Sequence, residues 1–253
     1  MITATMANPI ETFKKLKGRT WTEIRSRGEQ ALSAYTEQIG LSGKLPSDEE
    51  FVQLVNHNYF PKGEINAETL FAHFYEVADE RFFPAFREKE KTVELFRQFD
   101  EKARMHVIER AEKITQGKFD LLGYQNLDFG AAFDWHYEPI SGKHIPLKHW
   151  KQYDELDAEE TGDKKIIWEL NRHQHFFTLG VAYQLSKDEV FAETFIQHLE
   201  SWMEQNPPGL GVNWMSSLEV AFRAMSWIWA FQFFKESEHF TPDVLQKALK
   251  FLH

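Results

Sequence analysis

The chain has 253 residues and a formal net charge of -10, with 42% hydrophobic and 27% charged residues. This length accommodates one large domain or two small ones, and the composition is that of a globular rather than a disordered protein. The negative charge argues against a general nucleic-acid or anionic-membrane partner, because phosphate-rich surfaces repel it. An anionic ligand therefore requires a local cluster of Arg, Lys, Asn or His.

Two further features of the sequence limit the kinds of site and the location that we expect for the protein. The sequence has no cysteine, which excludes disulfides, thiolate nucleophiles, iron–sulfur clusters and cysteine-based zinc sites. The first 15 residues lack the apolar core of a signal peptide, so we expect either a cytoplasmic protein or a chain that has been trimmed. The apolar run at 224–234 is too short to cross a bilayer, and we expect no membrane span.

The hydrophobic pattern predicts helices along most of the chain. Ser47 and Glu50 predict a capping box in front of one helix, and a longer helix is predicted from about residue 92 to a stop at Gly117. Residues 119–150 interrupt this pattern with glycine and proline between aromatic residues, which is typical of an ordered loop or a short hairpin layer.

The second half of the chain contains four more predicted helices. The first spans residues 164–185, and Ser186 with Glu189 predicts the cap of the second, whose buried stripe contains Phe191, Phe195, Leu199 and Trp202. The third covers about 214–235, and the fourth begins at Thr241 and Pro242. Short links between long helices predict antiparallel hairpins packed side by side.

The first segment with possible chemistry is 168–177. On a continuous helix, Trp168, Arg172 and His175 lie on one face. His173 and His175 lie about 200° apart on such a helix, so they are not predicted to share a metal ion. Two interpretations stay open. The segment is either a helix with a mixed polar face or a wall with an aromatic ring, a cation and an imidazole for a sugar or a carboxylate.

The second segment is 209–219. Asn213 or Ser216 is the predicted cap of the following helix, and Ser216 with Glu219 fits another capping box. Between residues 214 and 234 the charged side chains are Glu219 and Arg223, spaced i to i+4. This pair is either a structural salt bridge that fixes the helix register or part of one side of a cleft formed by Arg223, Ser226 and Trp227.

The third segment is the aromatic turn at 134–139. Asp134 or Glu138 is a candidate catalytic acid, and a structural plug explains the turn equally well. Other catalytic patterns are missing from the sequence: there is no phosphate-binding Gly-rich loop, no Gly-x-Ser-x-Gly and no His-Glu-x-x-His.

Taken in order, these segments resemble the N-terminal α-helical domain of the heparinase II/III-like polysaccharide lyases. The resemblance is carried by Phe-Phe-Pro at 82–84, Phe-Asp-Leu-Leu-Gly at 119–123, Asp-Trp-His-Tyr-Glu-Pro at 134–139, Trp-Glu-Leu-Asn-Arg-His-Gln-His at 168–175, and Asn-Pro-Pro-Gly at 206–209 through Asn213-Trp214 to Glu219 and Arg223. It implies two parts, a helical lead-in at 1–80 and a toroid domain at 81–253.

The resemblance implies an all-α fold, an incomplete α/α toroid of antiparallel helical hairpins with an open groove for an acidic polysaccharide. Members of this bacterial family normally add a C-terminal β-sandwich that closes over the groove, and many are periplasmic. The implied reaction is β-elimination at a uronic acid, as in glycosaminoglycans or alginate. A Tyr or His removes the C5 proton beside a neutralised carboxylate, and a general acid protonates the leaving sugar. No metal and no cofactor are expected.

The resemblance assigns no catalytic residue to this chain. The family's Asn-His-x-x-Glu segment has no counterpart, since Asn56-His57 is followed by Phe60 where Glu belongs, and the catalytic Tyr and the β-sandwich His are also missing. We therefore expect the front part of a longer lyase, inactive alone. The expected substrate-groove residues are Trp135, His136, Arg172, His175, Asn213, Trp214, Glu219 and Arg223, with Trp135, Trp168 and Trp214 stacking on sugar rings.

Two alternatives stay open. One is a non-catalytic glycan-binding or scaffold remnant of the same family, and the other is a plain α-helical interaction domain.

Overall fold

The computed structural model describes residues 20–60, 63–130, 133–154 and 158–253. The chain divides into two compact units, residues 1–44 and residues 45–253. The described part of the first unit contains one helix, α1 (Trp21–Gln38), which begins where the Thr20 hydroxyl accepts a hydrogen bond from the Glu23 N–H at 3.3 Å.

The second unit is mostly helical, with two small antiparallel hairpins. Its helices are α2 (Asp48–Leu54), α3 (Ala67–Arg81), α4 (Pro84–Arg87), α5 (Lys89–Phe99), α6 (Glu101–Thr115), α7 (Ala158–Thr161), α8 (Lys164–Asn171), α9 (His175–Ser186), α10 (Glu189–Gln205), α11 (Ser217–Phe234) and α12 (Pro242–Leu252). The hairpins pair β1 (Lys118–Leu121) with β2 (Tyr124–Asp128) and β3 (Tyr137–Glu138) with β4 (Lys143–His144). The predicted interruption at 119–150 is therefore a hairpin layer. Among the described helices, none has both the length and the apolarity to cross a bilayer.

Several helix boundaries confirm the sequence analysis. Ser47 and Glu50 form the predicted capping box, with the two bonds at 3.2 and 2.8 Å. Thr241 caps α12 as predicted, with Pro242 in its first turn. The four residues of the predicted stripe on α10 are all buried.

The prediction of one long helix from residue 92 was wrong. Asp100 divides it into α5 and α6, because its carboxylate accepts a hydrogen bond from the Ala103 N–H at 3.0 Å and caps a new helix. The predicted stop at Gly117 is confirmed. This glycine has φ +75°, and a Cβ there would lie 2.4 Å from the Gly130 carbonyl oxygen.

The predicted continuous helix at 164–185 was also wrong. α8 ends at Asn171 and α9 begins at His175, and between them His173 adopts the left-handed conformation with φ +59°. A tertiary contact stabilises this interruption of the helix, because the His173 Nδ1 accepts a hydrogen bond from the Trp227 Nε1–H at 2.7 Å. The face assigned to Trp168, Arg172 and His175 on one helix therefore does not exist.

Two predicted capping boxes are not formed. α10 is capped by Asp188, not Ser186, through a bond from the Val190 N–H. Ser216 precedes α11 without a side-chain cap bond, and the Glu219 carboxylate binds Arg172 instead.

α9 lies at the centre of the core and packs against α6, α10 and α11. Its contact with α11 requires Gly180, because a Cβ there would lie 2.5 Å from the Phe233 ring. Phe195 of α10 stacks on Phe234 of α11 with ring centroids 4.6 Å apart. Most of the aromatic content thus fills the core, and α9 to α11 form the frame that carries the site.

Candidate functional site

The turn between α8 and α9 is built on the buried side chain of Asn171. Its amide donates to the Trp135 carbonyl at 3.1 Å and accepts hydrogen bonds from the Trp202 Nε1–H at 2.7 Å and the Asn213 amide at 2.9 Å. The Asn213 amide also donates to Asn206 at 2.8 Å. We call this group the Asn171 cluster: Asn171, Arg172, Asn206, Asn213, Glu219 and Arg223. It ties the hairpin layer to α8, α10 and the loop before α11.

Arg172 is held between two carboxylates. Its Nε and Nη2 donate to the two oxygens of Glu219 at 2.6 and 3.0 Å, and its Nη1 donates to Glu169 at 2.5 Å. The hydrogen bonds to Glu219 raise the pKa of Arg172. Of the two interpretations left open for Glu219 and Arg223, a direct salt bridge between them is not formed, because Glu219 is bound by Arg172. The charge of Arg172 is already compensated within the protein.

Arg223 is 3% exposed and is held without a direct carboxylate partner. Its guanidinium donates to the carbonyl oxygens of Asn171 and Asn213, each at 3.2 Å. It lies 4.2 Å from the ring centroid of Trp202 and 5.3 Å from that of Trp214. Burial lowers its pKa to about 9.

Three buried imidazoles lie next to this cluster. Those of His175 and His198 share a hydrogen bond of 3.3 Å between Nε2 and Nδ1, and His173 accepts the bond from Trp227. Burial lowers the pKa of His198 to about 4 and the pKa of both other imidazoles well below its ordinary value. All three are therefore neutral near pH 7 and form part of an aromatic core around Trp135.

The structure brings most of the predicted groove residues together but places them below the surface. Six of the eight are buried: Trp135, His136, His175, Asn213, Glu219 and Arg223. His136, for example, donates from Nε2 to the Gln205 carbonyl at 3.1 Å, and burial lowers its pKa. Arg172 and Trp214 are partly exposed. Direct contact of these residues with a glycan stays a prediction.

The three tryptophans expected to stack on sugar rings have other contacts. Trp135 has no exposed surface, and its indole N–H donates to Ser201 at 3.2 Å. Trp168 donates to the Val212 carbonyl at 3.1 Å, and Trp214 packs on Arg223. Each of these rings therefore packs against protein.

An open cavity of about 550 Å³ lies between α6, β1, α9 and α11. We call it the cationic cavity. Arg110, Lys113 and Lys118 supply its positive charge, while Asp120 and Glu169 are its carboxylates. Lys113 lies 3.9 Å from Asp120. Its aromatic and neutral polar side chains include Phe177, Phe222, Trp229, Gln174, Thr178 and Ser226.

The lining of this cavity suits an acidic sugar. Its volume is typical of a ligand site, aromatic rings stack on the C–H faces of a sugar, and cations bind its carboxylate or sulfate. The side chains of Arg110 and Lys118 form no hydrogen bond or ion pair with other described residues, and Phe177 is 45% exposed. Of the eight predicted groove residues, His175 contributes to the lining.

This cavity and the structural roles of the Asn171 and Asn206 amides were not predicted from the sequence. The available signal was the spacing of Arg110 and Lys113, one helical turn apart, with Lys118 placed just after the glycine that ends α6. Within the described ranges, no group of three or more His, Asp or Glu side chains is arranged to hold a metal ion.

The sequence profile described as the heparinase II/III N-terminus matches residues 52–253. The chain belongs to this family. The chain is 33% identical over 115 residues to a heparin-sulfate lyase of Bacteroides thetaiotaomicron, a match that covers 44% of the chain and 16% of the relative. It is 25% identical over 193 residues to the heparin-sulfate lyase of Pedobacter heparinus, covering 74% of the chain and 25% of the relative.

The fold of the chain is similar to part of a solved structure. The crystal structure of heparan sulfate lyase HepC from Pedobacter heparinus superposes with a TM-score of 0.55 and 24% identity, over 74% of this chain and 26% of that one. This likeness concerns the fold. The chain spans no more than about a quarter of the length of the relatives it matches.

Proposed function

We propose that the chain is the toroid portion of a polysaccharide lyase that acts on acidic, uronic-acid-containing glycans by β-elimination. Its helical hairpins form one part of an incomplete α/α toroid, and a C-terminal β-sandwich belongs to the complete enzyme. In this proposal the present chain binds and orients the substrate. The observation that carries the proposal is the cationic cavity in a chain of net charge -10.

Charge supports an acidic ligand at this position. The cavity lining contains three cations and two carboxylates, while the chain as a whole has ten more negative than positive side chains. Because the general field of the protein repels anions, binding depends on short-range contacts with Arg110, Lys113 and Lys118. The names of the relatives, heparin-sulfate lyases, point to the same class of glycan.

The cavity side chains have distinct roles in this proposal. The Lys and Arg side chains bind carboxylate or sulfate groups, and the exposed ring of Phe177 stacks on a sugar face. Arg172 fixes Glu169 at the rim through their bond of 2.5 Å. Binding in this cavity orients the glycan, and in this proposal the residues that remove the C5 proton belong to the rest of the enzyme.

The test is a titration with heparan sulfate, alginate and hyaluronan oligosaccharides of matched length. Lys113→Glu reverses one cavity charge, and we expect it to weaken binding by about tenfold, the equivalent of about 1.4 kcal/mol. The matched control is Lys247→Glu on α12, whose side chain is 43% exposed and whose nearest carboxylate lies 4.0 Å away. It should change the dissociation constant by less than about twofold.

Two results would overturn the proposal. One is an equal loss of affinity in both variants, since this would indicate unspecific attraction, and the other is failure of all three glycans to bind. We also expect no ultraviolet-absorbing unsaturated product from the 253-residue chain alone. Clear turnover would show that a catalytic set is present after all.

A further inference from the structure

A second cavity, of about 460 Å³, lies between the end of α6, Gly130 and α10. It shares no described lining residue with the cationic cavity. Its polar side chains are those of Thr115, Thr194, Gln197, His198, Ser201 and Gln205, and Phe133 adds an aromatic ring. None of these side chains is charged near pH 7, since burial lowers the pKa of His198 to about 4. We call it the neutral cavity.

One face of α10 supplies most of this polar lining. Thr194, His198, Ser201 and Gln205 follow one another at helical spacing. A polar helix face is normally solvated, yet Thr194 and His198 are only 7% and 8% exposed. These groups therefore line a recess in which they are largely removed from bulk water.

Most donor hydrogens of the lining are already used inside the protein. The hydroxyls of Thr115 and Thr194 donate to helix carbonyls, each at 2.7 Å, and the Gln205 amide donates both of its hydrogens to neighbouring groups. The oxygens of these three side chains keep free lone pairs. The Ser201 hydroxyl accepts two hydrogen bonds, and its own hydrogen has no acceptor among the described residues. The recess thus offers several acceptors and few donors.

The buried ring of His198 has a free nitrogen in the same lining. Its Nδ1 shares the bond with the His175 Nε2 at 3.3 Å, while its Nε2 has no hydrogen-bond partner among the described residues. In a neutral imidazole this nitrogen is a donor or an acceptor, according to the tautomer. A hydroxyl group pairs with either form, whereas a carboxylate pairs with the donor alone.

We propose that the neutral cavity is a binding site for an uncharged sugar residue, whose hydroxyls bond to the His198 Nε2, Thr194 and Gln197. Hydroxyl hydrogens fill the free lone pairs, a hydroxyl oxygen accepts from Ser201, and the Phe133 ring packs against C–H groups. A carboxylate or sulfate supplies acceptors alone and is disfavoured by an acceptor lining in a chain of net charge -10. The volume is typical of a small-ligand site. This site does not rest on the ligand proposed for the cationic cavity.

The first experiment compares glucose with glucuronate, which differs from glucose by a carboxylate at C6. The chain is labelled with nitrogen-15 histidine, and the imidazole resonances of His198, assigned by their loss in His198→Phe, are followed by NMR near pH 7. We expect glucose to shift the Nε2 resonance in a saturable manner, and glucuronate to require about tenfold more ligand for the same shift. Cyclohexanol, a ring with one hydroxyl, should cause no saturable shift.

The same titrations in Lys113→Glu separate the two cavities. This variant weakens the cationic cavity, so that glucuronate bound there does not disturb His198 through its bond to His175. The response of His198 to glucose should be unchanged. Loss of binding of acidic sugars to the cationic cavity would contradict the proposed function and leave the neutral cavity unaffected.

Four outcomes overturn the proposal. Absence of a glucose response shows that the recess binds no sugar, and loss of this response in Lys113→Glu places glucose in the cationic cavity. An equal response to glucuronate in Lys113→Glu shows no preference for an uncharged ligand. An equal response to cyclohexanol shows simple filling of the recess.

The second experiment removes single ligand contacts. Thr194→Val deletes a hydroxyl while keeping the branched shape of the side chain, and it should weaken glucose binding by about fivefold through the loss of one hydrogen bond. Gln197→Ala lies at an exposed position and should have a similar effect, so the test does not depend on the folding of the Thr194 variant. The matched control is Thr92→Val on α5, whose hydroxyl also donates to a backbone carbonyl, at 3.0 Å, and which should change affinity by less than about twofold. Unchanged affinity in either cavity variant, or an equal loss in Thr92→Val, would overturn the assignment.

Discussion

The Asn171 cluster and the cationic cavity lie in the same helical unit, yet they hold polar groups in opposite ways. In the cluster, Asn171 and Asn213 are buried, and their amides bind neighbouring side chains. In the cavity, Arg110 is exposed and Lys118 half-buried, and neither pairs with a described side chain. Residues that carry the family resemblance, such as Asn171 and Asn213, thus build the frame, whereas the three cations proposed to bind the ligand, Arg110, Lys113 and Lys118, lie outside those segments. The predictions below test this division.

The largest effect is expected for Asn171→Leu. The substitution removes the acceptor of the Trp202 and Asn213 donors and leaves them buried without a partner, so it should lower the free energy of unfolding by about 4 kcal/mol. Urea unfolding measures this loss. The exposed Asn58→Ala serves as control and should stay within about 0.5 kcal/mol of the original chain. Similar small losses for both would place Asn171 outside the frame.

Arg172→Ala tests whether this arginine belongs to the frame or to the ligand site. Its removal leaves the buried Glu219 carboxylate without a cation, and the free energy of unfolding should fall by about 3 kcal/mol. Lys91→Ala removes one side of an exposed pair with Glu88 and should lower it by less than about 1 kcal/mol. Glycan affinity of the folded Arg172→Ala protein should change by less than about threefold. A loss of glycan affinity comparable to that of Lys113→Glu would show that Arg172 belongs to the ligand site.

The buried imidazoles predict acid sensitivity. The pKa of His198 is about 4 in the folded chain and about 6.5 in the unfolded chain, so between these values the unfolded state binds more protons. The contribution of neutral His198 to the free energy of unfolding is thus fully present above about pH 6.5. It is lost as the pH falls towards 4, by about 3 kcal/mol in total. Unfolding free energies measured at pH 7 and pH 4.5 should show a smaller loss for His198→Phe than for the original chain. The exposed His57→Phe serves as control, and an unchanged loss in His198→Phe would contradict the prediction.

The smallest effect is expected for Phe177→Ala in the cavity. Removal of its exposed ring should weaken binding of the acidic oligosaccharides by about fivefold, the value of one aromatic contact. Leu122→Ala removes an exposed aliphatic side chain from the same lining and should change affinity by less than about twofold. Calorimetric titration of both variants compares the loss of an exposed ring with the loss of an exposed aliphatic side chain, and equal losses of affinity would contradict stacking by Phe177.

Structural features that depend on local patterns could be predicted from the sequence. The helical class, the hairpin layer, the cap at Ser47 and the buried stripe of α10 follow from hydrophobic period and cap chemistry over a few residues. The family resemblance correctly grouped segments that lie together in the fold. The division of the helix at Asp100 was also readable in principle, since Asp is a strong N-cap residue.

Features that depend on tertiary contacts could not be predicted. Helical spacing puts Glu219 beside Arg223, but the carboxylate binds Arg172, which lies 47 positions earlier. Burial of Trp135 likewise depends on α8, α9 and α10 surrounding it, which no local pattern shows. The cationic cavity combines side chains from four helices, a strand and a turn, and its first and last lining residues, Arg110 and Trp229, are more than a hundred positions apart.

The left-handed residue between α8 and α9 has a consequence for how the chain folds. A histidine at φ +59° is disfavoured by about 1 kcal/mol, and the local pattern favours a continuous helix. The break is stabilised when α11 supplies the Trp227 N–H to the His173 ring. Formation of this turn is thus coupled to the arrival of a helix more than forty residues later. The segment 164–186 should be a straight helix as an isolated peptide and should acquire its bend late, near the native side of the folding barrier.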